Sequence, residues 1–297
     1  MLLLDLFANG LIVGSYYALM AVGLTLIFGV LRVVNFAHGE LYMVGAYAFT
    51  LAAVKLGTGP WLALPFAIAA GAALGWLTER LLMRPLYSGY SSWGMMRDEY
   101  AVVVTFAFSL LLVNLVDKGI GPSPVRGPPL LNAPRLPVGP VMLSGQKIIA
   151  TAIGVASIGA LAFFLRYSFW GRQVRAVAQN RFGASLAGID TARASSLVFT
   201  LSGALAALAG ALLSPIINAS PDVGAFPAIK SYVIVVLGGM GSVLGSIIAS
   251  LALGVLESFG AVYLSYDYRD TFGLAILILV LLFRPEGLLG EKGRVVG

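Results

Sequence analysis

Asn35, His38 and Glu40 fall in one short stretch, Asn35-Phe36-Ala37-His38-Gly39-Glu40, between two apolar runs. Held at membrane depth, such residues could hydrogen-bond a passing solute or carry a proton. A charged side chain at a bilayer centre costs about 2.5–3.5 kcal/mol on the insertion scale, so an intramembrane ionisable residue is first read as functional. Three readings stay open for this stretch. It lines a pathway, it caps the backbone of a broken helix, or it is an interfacial turn bathed in water. A metal site is not expected. His38 is the one histidine and there is no cysteine, and His38 with Glu40 cannot complete a coordination sphere. No cofactor is expected.

Other polar residues punctuate the apolar runs: Thr105, Ser109, Asn114, Ser202 and Glu257. Serine and threonine in such helices usually bond their own backbone. Asn114 and Glu257 lie near run ends, where water is the simplest partner. Asn114 is kept with Asn35, His38 and Glu40 as a candidate for the pathway. The cluster Gly238-Gly239-Met240-Gly241-Ser242 is the other, through Gly238, Gly239, Gly241 and Ser242. No G-x-x-x-x-G-K-[ST] phosphate loop occurs, and no nucleophile is paired with a base. The chain is expected not to be an enzyme and to hold no ATP site of its own.

The elements that would position these residues are membrane helices. Of 297 residues, 59% are apolar and 11% charged, against roughly a quarter charged in a soluble domain. The 36 glycines suit close helix packing in lipid. Apolar runs long enough to span a bilayer, about 20 residues, cover roughly 10–31, 61–83, 101–116, 148–165 and 195–217. Shorter ones cover 41–54 and 272–283. The N-terminus lacks a basic region and a small-residue cleavage pattern, so the first run is read as a retained helix. Residues 117–145 are rich in proline, which cannot continue a helix, and predict an extended extramembrane loop.

Positive charge sets the orientation. Arg166, Arg172, Arg175, Arg181 and Arg193 crowd one segment, with Asp190 the only acid there. Arg80 and Arg84 flank the third run, and Arg284, Lys292 and Arg294 the tail. These places are expected to be cytoplasmic. Loop 117–145, one crossing away, is expected to be periplasmic despite Lys118, Arg126 and Arg135. The net charge of +6 is explained this way without nucleic acid. A cytoplasmic tail then demands an even number of crossings after residue 193. The stretch 229–259 must add zero or two, and as one helix it would be about 45 Å long. The glycines divide it, leaving Ile229–Leu237 as a half-helix that enters, turns and returns. Broken backbone at this depth is tolerated inside protein or along a water-filled path, and transporters build routes from such elements. Pairing Gly39 with Gly239 and Gly45 with Gly245 is compatible with an internal repeat.

The stretch 175–190 reads as a short amphipathic helix. Val174, Val177 and Ala178, then Leu186 and Ile189, form its apolar face, and Gly188 is its stop. Its basic face suits either anionic lipid or a soluble protein.

This stretch, with Arg175-Ala176, Asn180-Arg181 and the ending Gly188-Ile189-Asp190, resembles the coupling loop of permeases of the branched-chain amino-acid ABC importer family. Other segments of that family are resembled by Gly14-Ser15-Tyr16-Tyr17-Ala18-Leu19, the Asn35–Glu40 element, Glu79-Arg80, Arg84-Pro85-Leu86, the 238–242 glycines and Arg284-Pro285-Glu286-Gly287-Leu288. The matches span nearly the whole chain. Phe182-Gly183 depart from the pattern, as does the stretch 89–99. The resemblance implies an all-α polytopic transmembrane bundle of about eight spans, with broken or half-helices near Gly39 and Gly238–Gly241, as one permease domain over 1–297. It implies a multi-pass protein of the bacterial inner membrane with a cytoplasmic C-terminus. Arg175, Ala176, Asn180, Arg181, Gly188 and Asp190, within a cytoplasmic loop 166–194, would meet a separate ATP-binding subunit. A second related permease, in a heterodimer rather than a homodimer, and a periplasmic substrate-binding protein complete the expected partners. Branched-chain or related amino acids are the expected cargo, and urea or short amides the alternative. A passive channel is the alternative of a different class; it would not need the docking helix.

Overall fold

The computed structural model describes residues 2–87, 97–133, 136–138, 141–263 and 269–290. Pro134, Arg135, Pro140, Lys292, Arg294 and much of 89–99 lie outside the described residues. Twelve α-helices occur among those described: α1 Leu2–Leu31, α2 His38–Val54, α3 Pro60–Thr78, α4 Arg84–Tyr87, α5 Arg97–Gly119, α6 Gly145–Tyr167, α7 Phe169–Gln179, α8 Arg181–Leu186, α9 Thr191–Leu213, α10 Ala225–Gly238, α11 Val243–Tyr263 and α12 Arg269–Phe283. A π-helical turn, Glu79–Met83, joins α3 to α4. The proline-rich segment carries a small ribbon of β1, Leu136–Val138, and β2, Val141–Leu143, paired antiparallel. The all-α expectation holds apart from this ribbon.

Among the described residues, six helical segments are long and apolar enough to cross a membrane: 2–31, 60–83, 99–119, 145–167, 191–213 and 243–263. With the shorter α2, α10 and α12 they make a polytopic bundle. Within it α1 and α9 are mostly enclosed, whereas α5 and α6 keep most of their surface outside the protein. Polar caps fix several starts. Ser144 Oγ accepts from Lys147 N–H, Ser168 Oγ from Gly171 N–H, and Asp190 Oδ1 from both Ala192 and Arg193 N–H, each offsetting a helix-end donor that lipid cannot satisfy.

Small residues set the spacing. α1 and α11 run antiparallel in close contact. A methyl group on Gly10 would meet the Val255 Cα at 2.6 Å, and one on Gly14 the Leu251 Cα at 2.8 Å. Deeper along the pair, Thr25 Oγ1 lies 2.6 Å from Ser246 Oγ. α3 packs on α9 through Gly71, Gly75 and Gly203. Such contacts let backbones approach and add dispersion attraction where no hydrophobic drive acts between helices.

The first break differs in position from the expectation. It occupies 32–37, and His38, Gly39 and Glu40 already form the first turn of α2. Arg32 ends α1 in a left-handed conformation, φ 57°. Asn35 then closes a turn, its Oδ1 accepting from Ala37 N–H at 3.1 Å and its carbonyl from His38 N–H at 3.2 Å. The second break falls at the expected glycines. α10 is longer than the nine or so residues foreseen, 14 residues from Ala225, because Pro227 sits in the first turn, where no intrahelical donor is lost. Gly239 (φ 98°) and Gly241 (φ 89°) make the turn into α11, a conformation costly for residues with a Cβ. Gly39 is helical whereas Gly239 is in a turn. The two halves therefore share a break but not its register.

One end of the bundle gathers the starts of α1 and α6 with the end of α11. Asn9 Oδ1 accepts from Lys147 Nζ, and Leu6 O from Ser258 Oγ. The other end gathers the end of α1, the 239–242 turn, the tail and α7. Gly29 lies against Gly241, Leu288 N–H donates to Leu237 O at 2.8 Å, and α1 touches α7.

Candidate functional site

Asn35 and His38 are fully enclosed and Glu40 is 6% exposed. Their surroundings come from four helices. His38 Nε2 lies 3.0 Å from the Met20 carbonyl oxygen of α1, which can only accept, so Nε2 carries a proton there. His38 Nδ1 faces Ser202 Oγ of α9 at 3.5 Å. From α10, Tyr232 Oη donates to the Asn35 carbonyl at 2.7 Å. From α5, Ser109 Oγ donates to Glu40 Oε1 at 2.8 Å, and Thr105 Oγ1 accepts from Phe36 N–H at 3.1 Å. Thr105 and Ser109 are one helical turn apart and hold the segment side by side. An interfacial turn in water is excluded by this burial. The turn ahead of α2, rather than a helix cap, occupies the Asn35 side-chain oxygen, but Asn35 Nδ2 and Glu40 Oε2 are buried without a hydrogen-bond partner among the described residues.

The other candidates lie elsewhere. Asn114 sits on the outer face of α5 and bonds its own helix at Leu110 O. Gly238, Gly239, Gly241 and Ser242 form the turn at the far end of α10. Of these, Gly241 and Ser242 border a cavity of about 370 Å³ whose walls include Phe28, Arg32, Met240 and Glu286. The structure thus brings Asn35, His38 and Glu40 together and sets the glycine turn apart from them, with Tyr232 on α10 as the link.

Two buried acids acquire partners that the sequence does not announce. Glu257, expected to meet water, is enclosed; it forms an ion pair with Lys230 of α10 and accepts from Tyr17 Oη of α1 at 2.8 Å. Lys230 also lies over the Phe226 ring, 5.2 Å from its centroid. Glu79, in the π-turn, is enclosed and accepts from Ser196 Oγ of α9. Arg84, Arg80 and Arg181 lie within electrostatic reach of its carboxyl.

The amphipathic stretch is two helices, not one. Asn180 adopts extended backbone (φ −152°, ψ 102°) and its Oδ1 accepts from Gly183 N–H at 2.8 Å, which starts α8. Val174 and Val177 are buried as expected, with Ala176 and Ala178 packed beside them. Leu186, expected on that face, points outward; Ala184 takes the buried place because the break at Asn180 rotates the second helix. Phe182 and Leu186, one turn apart, are 73% and 74% exposed. Arg175 bonds the Arg166 carbonyl at 3.1 Å, tying α7 to the end of α6. Gly188 (φ 80°) follows α8 as the expected stop. Asp190 caps α9 and pairs with Arg193 at 3.0 Å, so its carboxylate has a structural use within the chain.

A family model described as branched-chain amino acid transport system / permease component matches residues 6–281. The high-affinity branched-chain amino acid transport system permease protein LivH of Salmonella typhimurium is 36% identical over 297 residues, covering 95% of this chain and 94% of that protein. BraD of Pseudomonas aeruginosa, of the same description, is 35% identical over 298 residues with the same coverage. LivM of Salmonella typhimurium is 27% identical over 301 residues, covering 92% of this chain and 67% of that protein. No solved structure matches. With the bundle, its two broken helices and a match along nearly its whole length, the chain belongs to the branched-chain amino acid transport permease family.

Proposed function

We propose that this chain is the membrane-spanning permease subunit of an ATP-driven importer that carries branched-chain amino acids across the inner membrane. Separate ATP-binding subunits drive it, and a periplasmic binding protein delivers the cargo. Its membrane partner is a related but different permease. The match of two distinct permeases of one organism, LivH and LivM, to this chain supports such a pair. Family membership is the observation that carries the reading.

The docking surface for the ATP-binding subunit is α7–α8, with Arg175, Asn180, Phe182, Leu186 and Gly188 outermost, Arg181 half-buried beside them, and Ala176 and Asp190 holding its form. This end of the bundle, with the tail, faces the cytoplasm; loop 117–145 faces the periplasm. A push on α8 passes through the Asp190 cap into α9. α9 bears on the π-turn through Ser196–Glu79 and on the α2 break through Ser202–His38. Asn35, His38 and Glu40 line the path, and the 238–242 turn lets α10 and α11 move about a fixed corner.

The test is uptake by proteoliposomes holding all subunits. ATP-dependent accumulation of leucine, isoleucine or valine is expected. Import of urea or short amides in their place, or ATP-independent equilibration, would overturn the reading.

A further inference from the structure

Resting on the proposed importer role, we infer that the α2 break is a recognition site for the zwitterionic head of an amino acid, with Glu40 Oε2 receiving the ammonium and Asn35 Nδ2 facing the carboxylate. The unpartnered atoms carry this. A polar atom enclosed without a hydrogen bond is unfavourable, and each such case calls for a partner. In this cluster the two unpartnered atoms are one acceptor and one donor. That is the complement of a zwitterion, which brings an N–H donor and an oxygen acceptor on one carbon.

The surroundings fit the head group and its side chain. α2 starts at Ala37 without a side-chain cap, so the positive end of the helix dipole lies at the break and favours a carboxylate. Glu40 is aimed by Ser109, which occupies Oε1 and leaves Oε2 for the ligand. Asn35 is aimed by its own turn, which occupies Oδ1 and leaves Nδ2. Phe36 and Tyr232 stand with ring centroids 5.6 Å apart beside the break, and Phe36 keeps an exposed face. They offer apolar surface for an aliphatic side chain. The segment is pinned from α5 and α10 through Thr105, Ser109 and Tyr232, so both polar groups keep their places without the ligand.

The test uses the purified complex of all membrane and ATP-binding subunits, without the binding protein, and reads weak binding by saturation-transfer NMR. The probes are leucine and 4-methylpentanoate, the same skeleton without the amino group. Leucine is expected to bind at least about tenfold better than 4-methylpentanoate. Glu40→Gln is expected to remove that preference, Glu40→Asp to restore part of it, and Asn35→Leu to weaken leucine while sparing leucinamide, which lacks the carboxylate. Equal binding of the two acids by the unaltered complex would overturn the inference without any variant. So would an unchanged preference in Glu40→Gln, or no leucine binding by a complex that imports leucine. A complex that imports no branched-chain amino acid when the binding protein is added defeats the importer reading instead.

Discussion

Lys230 and Glu257 join α10 to α11 inside the bundle, with Tyr17 of α1 on the same carboxylate. Removing one partner of a buried pair leaves a charge without compensation, at a cost of about 3–5 kcal/mol. Lys230→Met is therefore expected to lower the thermal stability of the detergent-purified complex sharply. Adding Glu257→Met should recover most of the loss, because apolar residues of similar volume often replace such a pair neutrally. A double variant no more stable than the single one would show that the pair does not act as a unit. This pair also marks the limit of legibility. Asn35, His38 and Glu40 stand out in the sequence because polar residues are rare in apolar runs. Glu257 stands out likewise, but its partner is 27 positions away on another helix, and only antiparallel packing reveals it. The spacing of residues on one helix is legible; which helices touch is a non-local property.

At the level of elements, the two helix breaks and the α7–α8 pair were legible to different degrees. A run of glycines announces a turn, since few other residues accept φ near 98° or 89°, as at Gly239 and Gly241. Gly239→Leu is expected to abolish ATP-dependent uptake. It would strain the backbone by about 1–3 kcal/mol and drive a side chain into the Gly290 backbone. Uptake at the unaltered level would count against a rigid corner there. Asn180 was not legible as a break because asparagine inside an amphipathic pattern reads as one more polar position. Its side chain caps α8 instead, and the resulting rotation exposes Phe182 and Leu186. Paired apolar side chains exposed at one end of the bundle suit insertion into a partner's pocket. Phe182→Asp with Leu186→Asp should leave the protein folded, since neither side chain is buried, yet cut leucine uptake at least about tenfold, as loss of a buried hot spot of about 2 kcal/mol or more would. Copurification of the ATP-binding subunit should fall in parallel; retained copurification with full uptake would remove these residues from the docking surface.

For the whole molecule, the helix packing ties several topological signals to one face. Counting arginines places 166–193 and the tail on the same side of the membrane. The structure reaches a matching arrangement without reference to charge: α1 ends beside α7 and beside the 239–242 turn, and the tail bonds the end of α10. α1 and α11 are antiparallel, so Leu2 lies at the end of the bundle where α11 finishes, remote from the tail. We propose that Leu2 and Gly290, at opposite ends of the bundle, face opposite sides of the membrane, with an odd number of crossings between them. A reporter active only in the cytoplasm should therefore be active when fused after Gly297 or inserted beside Gln179, and silent when fused before Met1. A periplasmic reporter should give the reverse at all three sites. Activity of the cytoplasmic reporter at both termini would require an even number of crossings, which the antiparallel α1–α11 pair and the docked tail do not permit in this fold. Silence beside Gln179 with activity after Gly297 would separate two surfaces that the end of α1 joins, and the route from α8 through α9 to His38 would then begin on the wrong side of the membrane for an ATP-binding subunit.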